Sequence, residues 1–202
     1  RIPDLNEVFT PPYDVISPQE QERFHHTSPY NMVHLELGKA SPRDTETDNP
    51  YTRAAHFFEE WQKQQILIRD DRPAVYHYEL DYSVTPELKR TRYGMICALR
   101  LEEFREGGVC PHEKTFSRVK DERLRLMLTC QANLSPIFAL YADGEQVVDR
   151  HLEKGREGNP VIRFTDKHGM EHRLWHVRDM ETLQNVRKLM AQKRIFIADG
   201  HH

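Results

Sequence analysis

Asp199-Gly200-His201-His202 follow directly on the apolar run Ile195-Phe196-Ile197-Ala198. An acid, a glycine and two imidazoles at the end of a buried strand make a turn able to handle charge. Gly200 allows a positive φ or a close backbone approach to a ligand. A helix starting beyond His201 would aim free backbone N–H groups at this turn, a natural seat for phosphate. Asp199 can hold a metal ion or accept a proton. The same residues also suit a plain Asp-Gly turn followed by exposed histidines.

A second cluster is Pro111-His112-Glu113-Lys114-Thr115-Phe116, just after Gly107-Gly108. Its acid, imidazole, cation and hydroxyl can act as general base, phosphate clamp and hydroxyl donor. They equally suit a solvated loop in which Thr115 or Ser117 caps the next helix. Arg118, Lys120, Arg123 and Arg125 line that helix. Arg123, two turns in, can reach back to an anion, whereas a solvated face would pair these cations with Asp121 and Glu122. The segment Pro11 to Ile16 either presents Tyr13 and Asp14 at a cleft or forms an extended edge with a turn. Tyr76, Tyr78, Tyr82 and Tyr93 could stack a base, but read better as one packed face of a sheet.

The elements that position these residues follow from caps and periodicity. Ser17, Pro18 and Glu20 make a capping box with proline at the first helical position. Met32 to Leu37 alternates as a short strand. Asn49 caps a helix whose Tyr51, Ala54, Ala55, Phe58 and Trp61 share one face. Ala74 to Val84 and Arg92 to Leu101 form a long antiparallel hairpin. Arg118 to Ala132 is a helix burying Leu124, Met127 and Leu128. Ile137 to Tyr141 is a buried strand and Glu145 to Lys154 a helix. Val161 to Phe164 and His172 to Val177 pair around Asp166 to Gly169. Asp179 caps a helix with Met180, Leu183, Val186 and Met190 inward. Arg194 to Ala198 is the last strand. Interleaved hairpins and helices indicate an α+β fold with a mixed, largely antiparallel sheet and helices packed on it.

The 202 residues are 38% hydrophobic and 30% charged, with a net charge of −3. That balance suits a folded chain and gives no electrostatic case for duplex nucleic acid or an anionic membrane. The spacing of Cys97, Cys110 and Cys130 makes neither a zinc pattern nor a disulfide framework, which suits a reducing cytoplasm. No apolar run has the length of a membrane span. The P-loop, the dinucleotide glycine fingerprint, the Gly-x-Ser-x-Gly elbow and His-Glu-x-x-His are all missing. Haem, flavin, NAD and structural zinc are not expected. The chain begins at Arg1 and stops on its most reactive turn, so it reads as a single α+β fragment of a longer protein. Such a fragment is expected to be inactive and to self-associate through surface exposed by truncation.

Six motifs recur in order: PPYDVIS at Pro11 to Ser17, PYNMVHLEL from Pro29, NPYTRAAHFFEEW from Asn49, HEKT at His112 to Thr115, SPIFALY from Ser135 and IADGHH at the end. Together they resemble the amino-terminal half of the domain-of-unknown-function family 1015. The ADGHH ending is similar to that of the ParB–sulfiredoxin–free serine kinase superfamily. This resemblance implies a ParB/sulfiredoxin-like motif starting at residues 194–202 and a nucleotide-phosphate site at Asp199, Gly200, His201 and His202.

Three functions compete. The first is phosphoryl transfer from ATP or ADP to a small hydroxyl metabolite such as serine. Glu113 would be its base; His112, Lys114, Thr115 and Arg123 would hold phosphate, and Asp199 would bind magnesium or orient a group. The second is a nucleotide-gated regulatory or binding module. The third is a metal-dependent phosphatase or nuclease, which needs His112, Asp199 and His201 to converge.

Overall fold

In the computed structural model, the described residues are 4–104, 107–112, 115 and 117–200. The fold is α+β, with helices and mostly antiparallel strands. The chain divides into two compact units, one from residues 1–69, 113–136 and 200–202, the other from residues 70–112 and 137–199.

The first unit is helical: α1 (Pro18–Thr27), α2 (Val33–Glu36), α3 (Pro50–Lys63) and α4 (Ser117–Cys130). The capping box before α1 is present, with Ser17 and Glu20 bonding each other's backbone N–H. Before α3, Asn49 accepts from the N–H of Tyr51 and Thr52, and its amide donates to the carbonyls of Thr45 and Glu46. One buried side chain thus closes the loop and starts the helix. Asn49→Ala is expected to lower stability by about 1–2 kcal/mol, at the upper end for caps because four bonds are lost; urea denaturation would measure it.

The strand expected over Met32 to Leu37 is instead the one-turn helix α2. The buried Asn31 lies just before it, with Oδ1 accepting from the Val33 N–H at 3.0 Å. The N–H groups of Leu35 and Glu36 donate to Met32 O, closing the turn, and Val33, Leu35 and Glu36 are all buried. The apolar face of α3 forms as the periodicity indicates, with Ala54 and Trp61 buried. Helix α4 turns the other way: Leu124, Met127 and Leu128 are 53%, 44% and 60% exposed, while Leu126 and Cys130 are buried against Ala54. Small residues at this contact let α3 and α4 approach closely. Arg123, Leu126 and Cys130 then share the inward stripe at i, i+3 and i+7.

The second unit carries two sheets. Strands β1 (Val75–Ser83), β2 (Lys89–Ile96), β5 (Ile162–Thr165) and β6 (Glu171–Val177) form an antiparallel sheet ordered β2-β1-β6-β5. Both expected hairpins are there, although β2 starts at Lys89 and ends at Ile96. Asp166 closes the second one by accepting from the N–H of His168 and Met170, with Gly169 at φ 75°. Strands β3 (Val109–Cys110), β4 (Phe138–Tyr141) and β7 (Ile195–Asp199) form the other sheet, ordered β3-β7-β4. The stretch expected to be all loop from Gly107 to Ser117 therefore contributes a strand. Strand β4 is only half covered, with Phe138 and Leu140 exposed.

Helices α5 (Val147–Lys154) and α6 (Met180–Met190) supply Val148, Leu152 and Val186 to the core, which joins Val177 of β6. Gly155 ends α5 where a Cβ would meet Thr182 Cγ2 at 2.7 Å and Val177 Cγ1 at 2.9 Å, so the close approach requires glycine. Of the residues expected inward on α6, Leu183, Val186 and Met190 join the core; Met180, in the first turn, is exposed. Among the described residues no helix is long and apolar enough to cross a membrane.

Candidate functional site

The first candidate centre lies at one edge of the three-stranded sheet. Strands β3 and β7 run parallel, with Val109 opposite Ile195 and Cys110 opposite Phe196. The Ile195 N–H donates to Gly108 O at 2.8 Å, anchoring the pair. Parallel strands leave their ladder at the same edge. His112, two residues past Cys110, and Asp199, three past Phe196, are therefore carried to one end of the sheet. Strand β4 runs antiparallel, so its start, Phe138, stands opposite Asp199 at that edge. Gly200 follows at φ 72°, the left-handed backbone that favours glycine. Both His112 and Asp199 are exposed. Glu113, Lys114, His201 and His202 lie outside the described residues.

A second convergence lies in the helical unit and centres on Glu36, which is buried. Ser135 Oγ donates to Glu36 Oε2 at 2.6 Å, and Arg123 Nη1 donates to the Glu36 carbonyl at 3.1 Å and lies 3.5 Å from Oε2. The Arg123 guanidinium also sits 4.0 Å from the centre of the Tyr13 ring. Tyr13 and Arg123 are thus brought together by a cation–π contact, and the Arg123 fork is held by Glu36. Asp14 is exposed in the short 3-10 turn with Tyr13, and Thr115 is half-buried just before α4. Glu36 and Ser135 were not singled out from sequence. Their signal is weak, since a glutamate in an apolar run gives no sign of which distant arginine meets it.

The four-stranded sheet holds a third polar group. His77, Glu79 and Asp81 alternate on one face of β1, opposite Trp175, Arg173 and Glu171 of β6. Arg156 donates from Nε to His77 Nδ1 at 2.9 Å and from Nη2 to Glu79, and its guanidinium lies 4.1 Å from the Trp175 ring centre. Arg173 binds Glu79 at 2.8 Å and Asp81 at 2.7 Å. Burial, then the Arg156 charge, lower the His77 pKa to about 4. Every carboxylate here is already matched by a guanidinium, so the group builds structure and offers no free base. The four tyrosines divide: Tyr76, Tyr78 and Tyr82 share the opposite face of β1, whereas Tyr93 pairs with Glu79 and stacks on His77. Tyr78 Oη lies 2.7 Å from His172 Nδ1, and His172 Nε2 is 3.5 Å from Asp166. Burial raises the Tyr78 pKa, which keeps the phenol protonated and a poor nucleophile.

Among the described residues, no group of three or more His, Cys, Asp or Glu is placed to hold a metal ion. Of the sequence candidates, His112 and Asp199 share the edge of one unit, and Tyr13 meets Arg123 in the other. The edge is distinguished by chemistry as well as position. Its residues are exposed, and a glycine in left-handed backbone follows.

No curated protein and no solved structure matches the chain. A family model described as protein of unknown function (DUF1015) matches residues 1–202, and the chain belongs to that family.

Proposed function

We propose that the protein binds a nucleotide phosphate at the sheet edge carrying His112, Asp199 and Gly200, and transfers a phosphoryl group to a small hydroxyl metabolite. The observation that carries this reading is the parallel pairing of β3 with β7, which brings two charged loops to one edge. Ligands of α/β sheets gather at the carboxyl ends of parallel strands, where loops and backbone N–H groups can surround a phosphate. In this reading His112, Lys114 and Thr115 contact phosphate oxygens, and Gly200, His201 and His202 supply the remaining phosphate contacts. Glu113 takes the hydroxyl proton. Magnesium is bound by one or two carboxylates plus substrate phosphates and water, so Asp199 alone suits an ion held mainly through the nucleotide. Arg123, already engaged by Glu36, is not needed at the phosphate.

The test is turnover by the full-length protein of ATP or ADP with magnesium and a panel of hydroxyl amino acids. Glu113→Gln is expected to lower kcat by about 10²–10⁴-fold while nucleotide affinity is kept. Gly200→Val should remove nucleotide binding, because a β-branched residue resists the left-handed turn. Absence of turnover, together with nucleotide binding unaffected by His201→Ala, would sink the reading. Binding without turnover that survives Glu113→Gln would favour a regulatory module.

A further inference from the structure

The rings of His25 and His34 meet in an arrangement that two neutral imidazoles avoid. His25 Nε2 lies 3.2 Å from Leu37 O, and His34 Nε2 lies 3.2 Å from Ser28 O. A carbonyl only accepts, so both Nε2 atoms carry hydrogen. Each Nδ1 is left with a lone pair, and the two Nδ1 atoms are 3.1 Å apart. Facing lone pairs repel unless an electrophile stands between them.

A shared proton and a metal ion are the two candidates. The ring centroids are 4.5 Å apart and the planes are at 86°, edge to face. Two imidazole nitrogens ~2.0–2.1 Å from one tetrahedral ion stand about 3.3 Å apart. A carbonyl on the far N–H is also the usual outer partner of a metal-bound histidine, fixing its tautomer.

We propose that His25 and His34 form a two-imidazole site for a late divalent transition-metal ion, with water completing its coordination. His25 lies in the last turn of α1, where unpaired carbonyls favour a cation. Burial lowers the pKa of both imidazoles, which keeps them unprotonated and able to ligate at neutral pH. Both rings are half-buried. The charged groups acting on His25 are Lys39 and Glu22, 2.5 Å apart, whose charges offset each other. Phe57 and Trp61 wall His34 at centroid distances of 5.2 and 6.4 Å. Imidazole donors suit zinc, nickel or copper, whereas magnesium prefers oxygen. This site is therefore chemically distinct from the Asp199 edge.

Trp61 reports on the site. The chain has two tryptophans, so Trp175→Phe leaves Trp61 as the single indole. Titrating the chelator-treated protein with Cu²⁺ is expected to quench Trp61 with saturation at one ion per chain. Zn²⁺ should compete in calorimetry, and Mg²⁺ should not. His25→Ala and His34→Ala should each weaken Zn²⁺ binding by more than about tenfold, while His26→Ala, at an exposed neighbour, should leave it intact. Imidazole ¹⁵N spectra of the wild-type protein should show Zn²⁺ shifting the Nδ1 resonances of both rings, which tests the site even if a variant misfolds. Unmoved Nδ1 resonances, or Trp61 quenching that persists in both histidine variants, would overturn the proposal and leave a plain hydrogen-bonded pair.

Discussion

Glu79→Ala is expected to destabilise the strand-rich unit by about 3–5 kcal/mol, the range for breaking a buried ion pair by removing one partner. Glu79 is 7% exposed and lies between two guanidinium groups, Arg156 and Arg173. Removing it leaves both cations close together with donors unmatched, and Asp81 can answer only Arg173. The loss exceeds what an exposed pair provides, about 0–1 kcal/mol, because little water is available to replace the carboxylate. Urea denaturation would measure it. Adding Arg156→Met to Glu79→Leu should recover much of the loss, since an apolar replacement removes an unmatched charge as well. A loss below about 1 kcal/mol for Glu79→Ala would show the cluster to be effectively solvated.

Acid should weaken the same unit before its carboxylates protonate. His77 is 1% exposed, and its Nδ1 accepts from Arg156. Unfolded, its imidazole takes a proton near pH 6.5; folded, it does so only near pH 4. Between those values the unfolded chain binds more protons, so lowering the pH favours unfolding. The His77 contribution is complete above pH 6.5 and disappears as the pH falls to about 4. Its size is on the order of 3 kcal/mol. In urea denaturation at stepped pH, His77→Gln should flatten the profile across this window, because the amide oxygen can still accept from Arg156 without titrating. The slope should not vanish, since burial also lowers the pKa of His25 and His34. An unchanged slope would show that His77 meets solvent on the relevant timescale.

The legible parts of this chain are those decided within a few residues. Ser17 with Glu20, Asn49 with Pro50, and Asp179 with Thr182 form caps as read, because a side-chain oxygen reaches only the next two or three N–H groups. The hairpin around Asp166 to Gly169 was legible for the same reason. Where two local signals compete, the pattern misleads: Met32 to Leu37 alternates like a strand, yet it turns as a short helix behind the bond from the Val33 N–H to Asn31.

Which face of a helix turns inward depends on the partner. Leu124, Met127 and Leu128 make a better apolar stripe on paper than Leu126 and Cys130. Contact with Ala54 on α3, reinforced by the bond from Arg123 to Glu36, selects the other side of α4. The two charged motifs were visible as residue types in a row, but nothing local connects His112 with Asp199 across 87 positions of chain. That neighbourhood arises from the parallel ladder of β3 and β7, in a stretch whose two paired residues are too few to announce a strand. The clusters at Glu36, at Glu79 and between His25 and His34 depend likewise on side chains meeting across elements. Short-range hydrogen bonding is written in the order of residues; long-range pairing of charge with charge, and ring with ring, exists only once the chain has folded.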